Sequence, residues 1–352
     1  MFKMFRNFLA IVTLLALTAC GNWPHQKNSS DAKPLKVLVV GAGPAGLVSA
    51  LEANHAGASV SVVEKRSNYT RQQHIILDEH SLNTLNRFEI DCPELSYFKP
   101  AKVGVVPINK LEEALKKKAE SLGIRILSAT MTHINKNHSI TVSDVNQLRS
   151  ELDYDLLIGA DGGKSKVRSE LGIEMNSFGN QAWGAGAVLK LPHPKGFSLD
   201  TFHVQDSYTQ APLSVRRFIS PDGYNVVFSH SHRNLNRKEF SEALASVGFS
   251  EEADMIGHGK EVGYYDNVSI KLVQAKRFFD VKASAIIIGD AAASASFFEG
   301  KGANTAIATA VISGDYVRRR IGGHADAEEL FQKKMMHRTN EMIQASRYLF
   351  ER

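Results

Sequence analysis

A turn of six residues, Gly41-Ala42-Gly43-Pro44-Ala45-Gly46, sets the architecture of this chain. It follows residues 35–40, LKVLVV, a nearly continuous apolar run of the kind a buried parallel strand needs. Behind it Leu47, Ala50, Leu51 and Ala53 begin a helical pattern, and a second strand-like run, residues 59–63, leads to Glu64. Strand, glycine turn, helix, strand and acid form the arrangement that holds a dinucleotide. Gly41 permits the tight turn, Gly43 lets the backbone approach a pyrophosphate, and Gly46 lets the helix pack closely on the strand. The helix start, with Pro44 and Ala45 in its first turn, offers N–H donors and a positive dipole end to phosphates. Glu64, with Lys65 beside it, would accept hydrogen bonds from ribose hydroxyls.

Two later segments narrow the ligand. Residues 154–158 form a hydrophobic strand followed by Gly159-Ala160-Asp161-Gly162-Gly163-Lys164-Ser165-Lys166-Val167-Arg168. Residues 285–288 form another, followed by Gly289-Asp290-Ala291-Ala292. Gly163-Lys164-Ser165 is not part of a nucleoside-triphosphate loop, because Ile158 stands where that loop needs glycine. The order GAGPAG, GADGGKSKVR, GDAA resembles the FAD-dependent class A flavoprotein monooxygenases, which share the p-hydroxybenzoate hydroxylase fold. The resemblance covers roughly residues 35–348.

That resemblance implies an α/β fold: a Rossmann-like FAD-binding domain of the GR2 type, an inserted β-sheet substrate domain, and C-terminal helices. It divides the chain into residues 35–175 and 270–322 for the FAD-binding domain, 176–269 for the substrate-covering sheet, and 323–352 for the C-terminal helix. It implies that Asp290, at the end of a buried strand, hydrogen-bonds the ribityl chain of FAD. Asp161 would lie near the pyrophosphate and the path of NADPH or NADH, the transient reductant. A long helix running to about residue 319 follows Phe297-Phe298-Glu299-Gly300-Lys301-Gly302-Ala303-Asn304. Gly300, Gly302, Ala303 and Asn304 would come under the isoalloxazine edge, where the helix dipole stabilises the reduced flavin. Residues 64–73, EKRSNYTRQQ, resemble the corresponding stretch of the MICAL flavoprotein monooxygenases, which oxidise methionine in actin, and this places Arg71 near the flavin. The alternative for Arg71 is a surface pair with Asp78 or Glu79.

The pattern also has departures. Family members carry His after Gly-Asp-Ala-Ala and proline shortly before the glycines, whereas this chain has Ala293, Ser296 and Phe297, with Thr309 in place of an acid in the next helix. The expected activity is an NAD(P)H-dependent monooxygenase acting on a small molecule or a protein. The alternatives are a flavin-linked dehydrogenase or reductase acting on a lipid-like substrate, and a non-catalytic flavoprotein. The flavin carries the chemistry, so no side chain is assigned a catalytic role.

Elsewhere, residues 182–230 alternate through strand-like runs that would cover a substrate pocket. Arg216 and Arg217 fall on one of them and should point to opposite faces, solvated or with one binding an anionic substrate. His230 and His232 share a strand face, but no third residue has metal-ligand spacing, so no metal is expected. Ile108, Leu111, Leu115, Ala119 and Leu122 mark an amphipathic helix, and residues 325–350 a final one.

The first twenty residues read as an export signal. Lys3 and Arg6 precede an apolar stretch, residues 8–17, shorter than the roughly 20 residues of a membrane span. Leu17-Thr18-Ala19-Cys20 resembles a bacterial lipobox, which makes residues 1–20 a lipoprotein signal, Cys20 the lipidation site and residues 21–34 a tether. The implied location is the bacterial cell envelope, lipid-anchored to a membrane, with Gly21 favouring the outer one; the alternative is a cytoplasmic protein on an uncleaved N-terminal anchor. With only Cys20 and Cys92 present, acylation of Cys20 rules out an intramolecular disulfide. A net charge of +5, with basic runs only at 116–118 and 318–320 on expected helix faces, gives no case for nucleic acid.

Overall fold

Residue 36 begins the first strand, Lys36–Val40, whose last four residues are buried. A computed structural model describes residues 33–190, 198–220 and 223–351, so the signal, Cys20 and most of the tether lie outside the described residues. Lys36–Val40 lies between two parallel neighbours, Leu156–Gly159 and Ser59–Glu64. The sheet continues in parallel to Arg125–Ser128 on one side and Ala285–Ile287 on the other, and Phe279–Asp280 closes it antiparallel. The register sets Val40 opposite Gly159 and Gly159 opposite Ile287. The carboxyl ends of three strands, far apart in sequence, are therefore level. The three motifs that follow them are delivered to one edge, where ligands of open α/β sheets bind.

Four helices accompany this part: α1 (Pro44–His55), α2 (Glu79–Arg87), α3 (Ile108–Ser121) and the short α4 (Lys166–Glu170). On α3, Leu111, Leu115 and Ala119 are buried at four-residue spacing, and the lysines take the opposite face. Two small antiparallel sheets, His74–Leu77 with Val103–Pro107 and Ser96–Phe98, and Thr130–Ile134 with Ser139–Ser143 and Arg149–Asp153, flank the main one.

The segment expected to be strand-rich supplies four strands of a five-stranded antiparallel sheet, ordered Ser198–Gln205, Pro212–Ile219, Tyr224–Ser231, Ala182–Lys190, Gly263–Ile270, the last of them from beyond that segment. One face packs Leu189, Leu213, Val215 and Val227 against α5 (Arg237–Ser246) and α6 (Ser250–Gly257). The other packs Val188, Phe218, Val226 and Phe228 against Phe298, Ile343, Leu349 and Phe350. Arg216 and Arg217 obey the same alternation. Arg217 pairs with Asp200 at 2.8 Å and with Glu252 of α6 at 3.0 Å. Arg216 faces the opposite way, to Glu299 at 3.4 Å and the Phe298 carbonyl. Both arginines are part-buried in ion pairs rather than solvated.

The chain ends in two long helices, α7 (Lys301–Ile321) and α8 (Ala327–Arg347). Packing of α7 on α1 is close, with Ser49 and Ser313 hydroxyls 2.7 Å apart. The basic run at 318–320 is not merely solvated: Arg318 pairs with buried Glu52, Arg319 with Asp315 and Asp326, and Arg320 with Glu328. Among the described residues no helix is long and apolar enough to cross a membrane.

Candidate functional site

The level strand ends open on a cavity of about 860 Å³ that extends to the five-stranded sheet. One end is polar. Gly41, with φ +104°, makes the turn and donates its amide to the Val63 carbonyl at 2.8 Å. Gly43 is the N-cap of α1, and Pro44 and Ala45 of the first turn line the cavity with it. Gly46 does not line it. A Cβ there would stand 1.9 Å from the Gly41 carbonyl oxygen, so Gly46 serves helix packing, as its spacing implied.

Glu64 is buried, and its oxygens accept from the Ala42 amide at 2.6 Å and from the Arg66 amide at 2.9 Å and Nε at 3.1 Å. Burial raises its affinity for a proton, but the Arg66 hydrogen bonds and the Ala42 amide outweigh this and hold it below the usual carboxylate value. A lowered value keeps the group ionised, as an acceptor of ribose hydroxyls must be. Tyr69 donates to the Ala42 carbonyl at 2.9 Å and braces the same turn. Lys65, Arg66, Lys164 and Lys166 line the cavity near this end; of these the sequence had singled out only Lys65.

Arg71 lines the cavity, and neither of its expected surface partners holds it. Asp78 instead caps α2, accepting from the Ser81 amide at 2.8 Å, and Glu79 pairs with Lys102 at 3.2 Å. Arg71 bonds Glu112 of α3, a fully buried carboxylate that Arg66 also approaches at 3.7 Å. Burial pushes Glu112 above the usual range despite both arginines. A buried carboxylate has to be paired, and Arg71 is the cation that meets it.

Asp161 lines the cavity, yet its oxygens are engaged by the Ser165 hydroxyl at 2.5 Å and the Lys166 and Val167 amides at 2.6 and 3.1 Å. It fixes the start of α4 at the cavity edge. Asp290 differs from expectation. It follows the buried strand Ala285–Ile287, in the turn Gly289–Ala291, but its carboxylate is exposed to the cavity and not buried. Surrounding protein still raises its proton affinity, and the nearby Arg71 opposes that. Thr309, where the family has an acid, holds this turn by accepting from the Gly289 amide at 3.0 Å.

Gly300, Gly302, Ala303 and Asn304 form the start of α7 at the cavity wall. The Asn304 amide is not available to a ligand. Its oxygen accepts from the Asp78 amide at 3.0 Å and the Ser81 hydroxyl at 2.7 Å, and its nitrogen donates to the Ile76 and Gly300 carbonyls at 2.9 and 3.0 Å. Four bonds satisfy an amide side chain, so the Asn304 side chain clamps the helix start. Among the described residues no side chain caps α1 or α7, and neither has an acid in its first turn. Two positive helix ends therefore face one cavity.

The far end is aromatic. Phe218, Phe228, Tyr265, Phe297 and Phe298 line it, with ring centroids 5.5 to 6.4 Å apart in edge-to-face contacts. Gly184 and Gly186 make room: a Cβ on them would meet the Phe297 ring at 2.2 Å and the Tyr265 hydroxyl at 2.3 Å. Glycines inside a strand were the available signal for this wall.

The donor set fits FAD. A glycine turn under a bare helix end suits a pyrophosphate, an ionised Glu64 suits a ribose, and seven lysines and arginines against five acids in the lining suit a dianion. Known proteins agree. A family model described as an FAD binding domain matches residues 73–338, and another of the same description matches residues 36–75. The F-actin monooxygenase Mical of Drosophila melanogaster is 29% identical over 241 residues, covering 60% of this chain and 5% of that protein. Kynurenine 3-monooxygenase of Neurospora crassa is 27% identical over 194 residues, covering 40% of this chain and 38% of that one. The chain thus spans less than half the length of either relative. Two solved structures share the fold: 2-methyl-3-hydroxypyridine-5-carboxylic acid oxygenase, with TM-score 0.71, 18% identity and coverage of 90% of this chain and 91% of that one, and CtdE in complex with FAD and a substrate, with TM-score 0.67, 18% identity and coverage of 90% and 88%.

Proposed function

Because the chain belongs to the FAD-binding family of class A flavoprotein monooxygenases, we propose that it uses NADPH or NADH to insert one oxygen atom into a small, flat, largely apolar molecule. The observation that carries this reading is one continuous cavity, with a dinucleotide turn at one end, an aromatic wall at the other and a bare helix start between them. Bound FAD would supply the redox chemistry, accepting hydride and activating dioxygen.

The chain's own residues bind and orient. The Gly43 end of α1 would face the pyrophosphate, Glu64 would take the ribose hydroxyls, and Asp290, which lines the same cavity, would accept from a ribityl hydroxyl. The start of α7 favours negative charge on whatever ring system lies against it. Phe218, Phe228 and Phe297 exclude water from the substrate end. Arg216 stacks over Phe298 at 4.4 Å and is tied to Glu299, so it shapes the wall and is not an open receptor for a substrate anion. This favours a neutral substrate.

The test is purified protein scanned for a flavin spectrum, then mixed with NADPH or NADH in air. A yellow protein that consumes reductant and releases hydrogen peroxide without substrate, and less when a flat aromatic compound is added, supports the reading. A yellow protein that reduces only artificial electron acceptors points to a dehydrogenase or reductase, and a colourless one sinks the assignment.

A further inference from the structure

The turn Phe297–Glu299 stands between the aromatic wall and the start of α7, and residues outside the cavity hold it from behind. Ser296 is fully buried and caps the turn, its hydroxyl accepting from the Phe298 amide at 3.2 Å. That hydroxyl lies 3.1 Å from Nδ1 of His230, and Nε2 of His230 lies 3.1 Å from the Leu349 carbonyl oxygen. A carbonyl only accepts, so Nε2 carries the ring proton and Nδ1 accepts the Ser296 hydroxyl hydrogen. Burial lowers the His230 value to about 4, and the ring stays neutral with this direction of bonding fixed. Phe350 meets the His230 ring edge-on at 4.9 Å. It occupies space that Gly179 leaves, where a Cβ would stand 2.8 Å from Phe350 Cβ. At the other end of the turn the Tyr348 hydroxyl bonds Glu299, which also pairs with Arg216.

We propose that residues 348–350, just beyond α8, form a latch that positions the 296–300 turn, and through it the start of α7, against the flavin. Ser296, His230 and Tyr348 are its positioning residues. The proposal rests on the flavin reading of the cavity. Were the pyrophosphate held at Gly43 and the adenosine toward Glu64, the remaining half of the dinucleotide would reach past Asp290 toward residues 296–304, which line the same cavity. A short turn tied at both ends cannot slide along the cavity wall. Untied, it lets the α7 start drift from the ring. The reduced, more negative flavin then loses more stabilisation than the oxidised one.

The experiment compares Tyr348→Phe and Ser296→Ala with the unaltered chain. It reads three quantities: amide hydrogen exchange, the dissociation constant of oxidised FAD, and the midpoint potential of the bound flavin. The latch requires exchange to rise about tenfold within residues 296–304 and nowhere else. It requires the potential to fall by about 30 mV, equivalent to tenfold less preference for the reduced state, while the FAD dissociation constant stays within about threefold. Unchanged exchange and potential overturn it. So does exchange that rises evenly across the protein with a lower melting temperature, since that is a general structural role. Tyr348→Phe removes one oxygen from a half-buried side chain, so it decides the matter even if Ser296→Ala does not fold. If the unaltered protein takes up no FAD, the cavity reading fails, and exchange in the apoprotein still decides the latch.

Discussion

Gly43 and Gly46 stand three positions apart and answer differently to the same added methyl. At Gly43 a Cβ meets nothing closer than a Glu112 oxygen at 3.7 Å, and at Gly46 it collides with the Gly41 carbonyl. Gly43→Val should therefore leave the apoprotein folded, with an ordinary thermal melt, and abolish FAD uptake by filling the cradle. Gly46→Ala should cost about 3 kcal/mol, the upper end of overpacking penalties, and lower the melt whether or not FAD is present. Asp290 offers a second test. Losing a hydrogen bond to a charged group costs roughly 1.5–3 kcal/mol, so Asp290→Ala should weaken FAD binding by about 10- to 150-fold in titrations. Its pH behaviour has a definite sign. The folded carboxyl binds its proton more tightly than the ordinary value of 3.8, so its contribution to apoprotein stability is full below that pH. That contribution is lost as pH rises through the elevated folded value. Thermal melts across pH should show Asp290→Asn flattening this fall. Glu112, raised in the same sense, is present in both proteins and cancels from the difference.

The start of α7 depends on Asn304, and here the effect is on the element itself. Four hydrogen bonds tie the Asn304 amide to α2, to the strand His74–Leu77 and to Gly300. At a net of about 1 kcal/mol each, Asn304→Ala should cost roughly 2–4 kcal/mol in apoprotein denaturation, an effect a simple ligand contact would not produce. Elements with strong apolar period were legible in the sequence: Lys36–Val40, Leu156–Gly159, α3 and four of the five antiparallel strands lie where their patterns put them, while the fifth, Gly263–Ile270, went unassigned. Others were silent for physical reasons. Arg149–Asp153, RSELD, is an exposed strand with almost no apolar side to announce it. The helix α5 went unassigned although Asn236 and Glu239 form a capping box, a readable start signal three residues apart. The Arg71–Glu112 pair was beyond reach, because nothing in either segment says that a loop and a distant helix face will meet.

At the scale of the molecule, the sheet order decides what the motifs can do, since GAGPAG, GADGG and GDAA share an edge only because their strands are neighbours in level register. Their order along the chain was visible, and so was the ligand class. The aromatic end of the cavity was not, because it is built from three strands of one sheet and a turn distant in sequence. The expected lipid anchor belongs at this scale too. If residues 17–20 are a lipobox, Cys20→Ser should move the protein from the detergent-extracted membrane fraction to a soluble or uncleaved-precursor fraction and abolish palmitate labelling. A processed wild-type protein that carries no label would refute the anchor.

The same neighbour relations order events in time. During synthesis the Gly41 turn leaves the ribosome early, but its sheet partner Leu156–Gly159 comes more than a hundred residues later, and Ala285–Ile287 and α7 later still. A nascent chain that stops short of Gly289 has a phosphate cradle with no Asp290 beside it and no helix start facing it. Parallel pairing across such separations is slow to close. On this order FAD would be captured late, by a nearly finished fold, and would not be the seed around which the chain condenses.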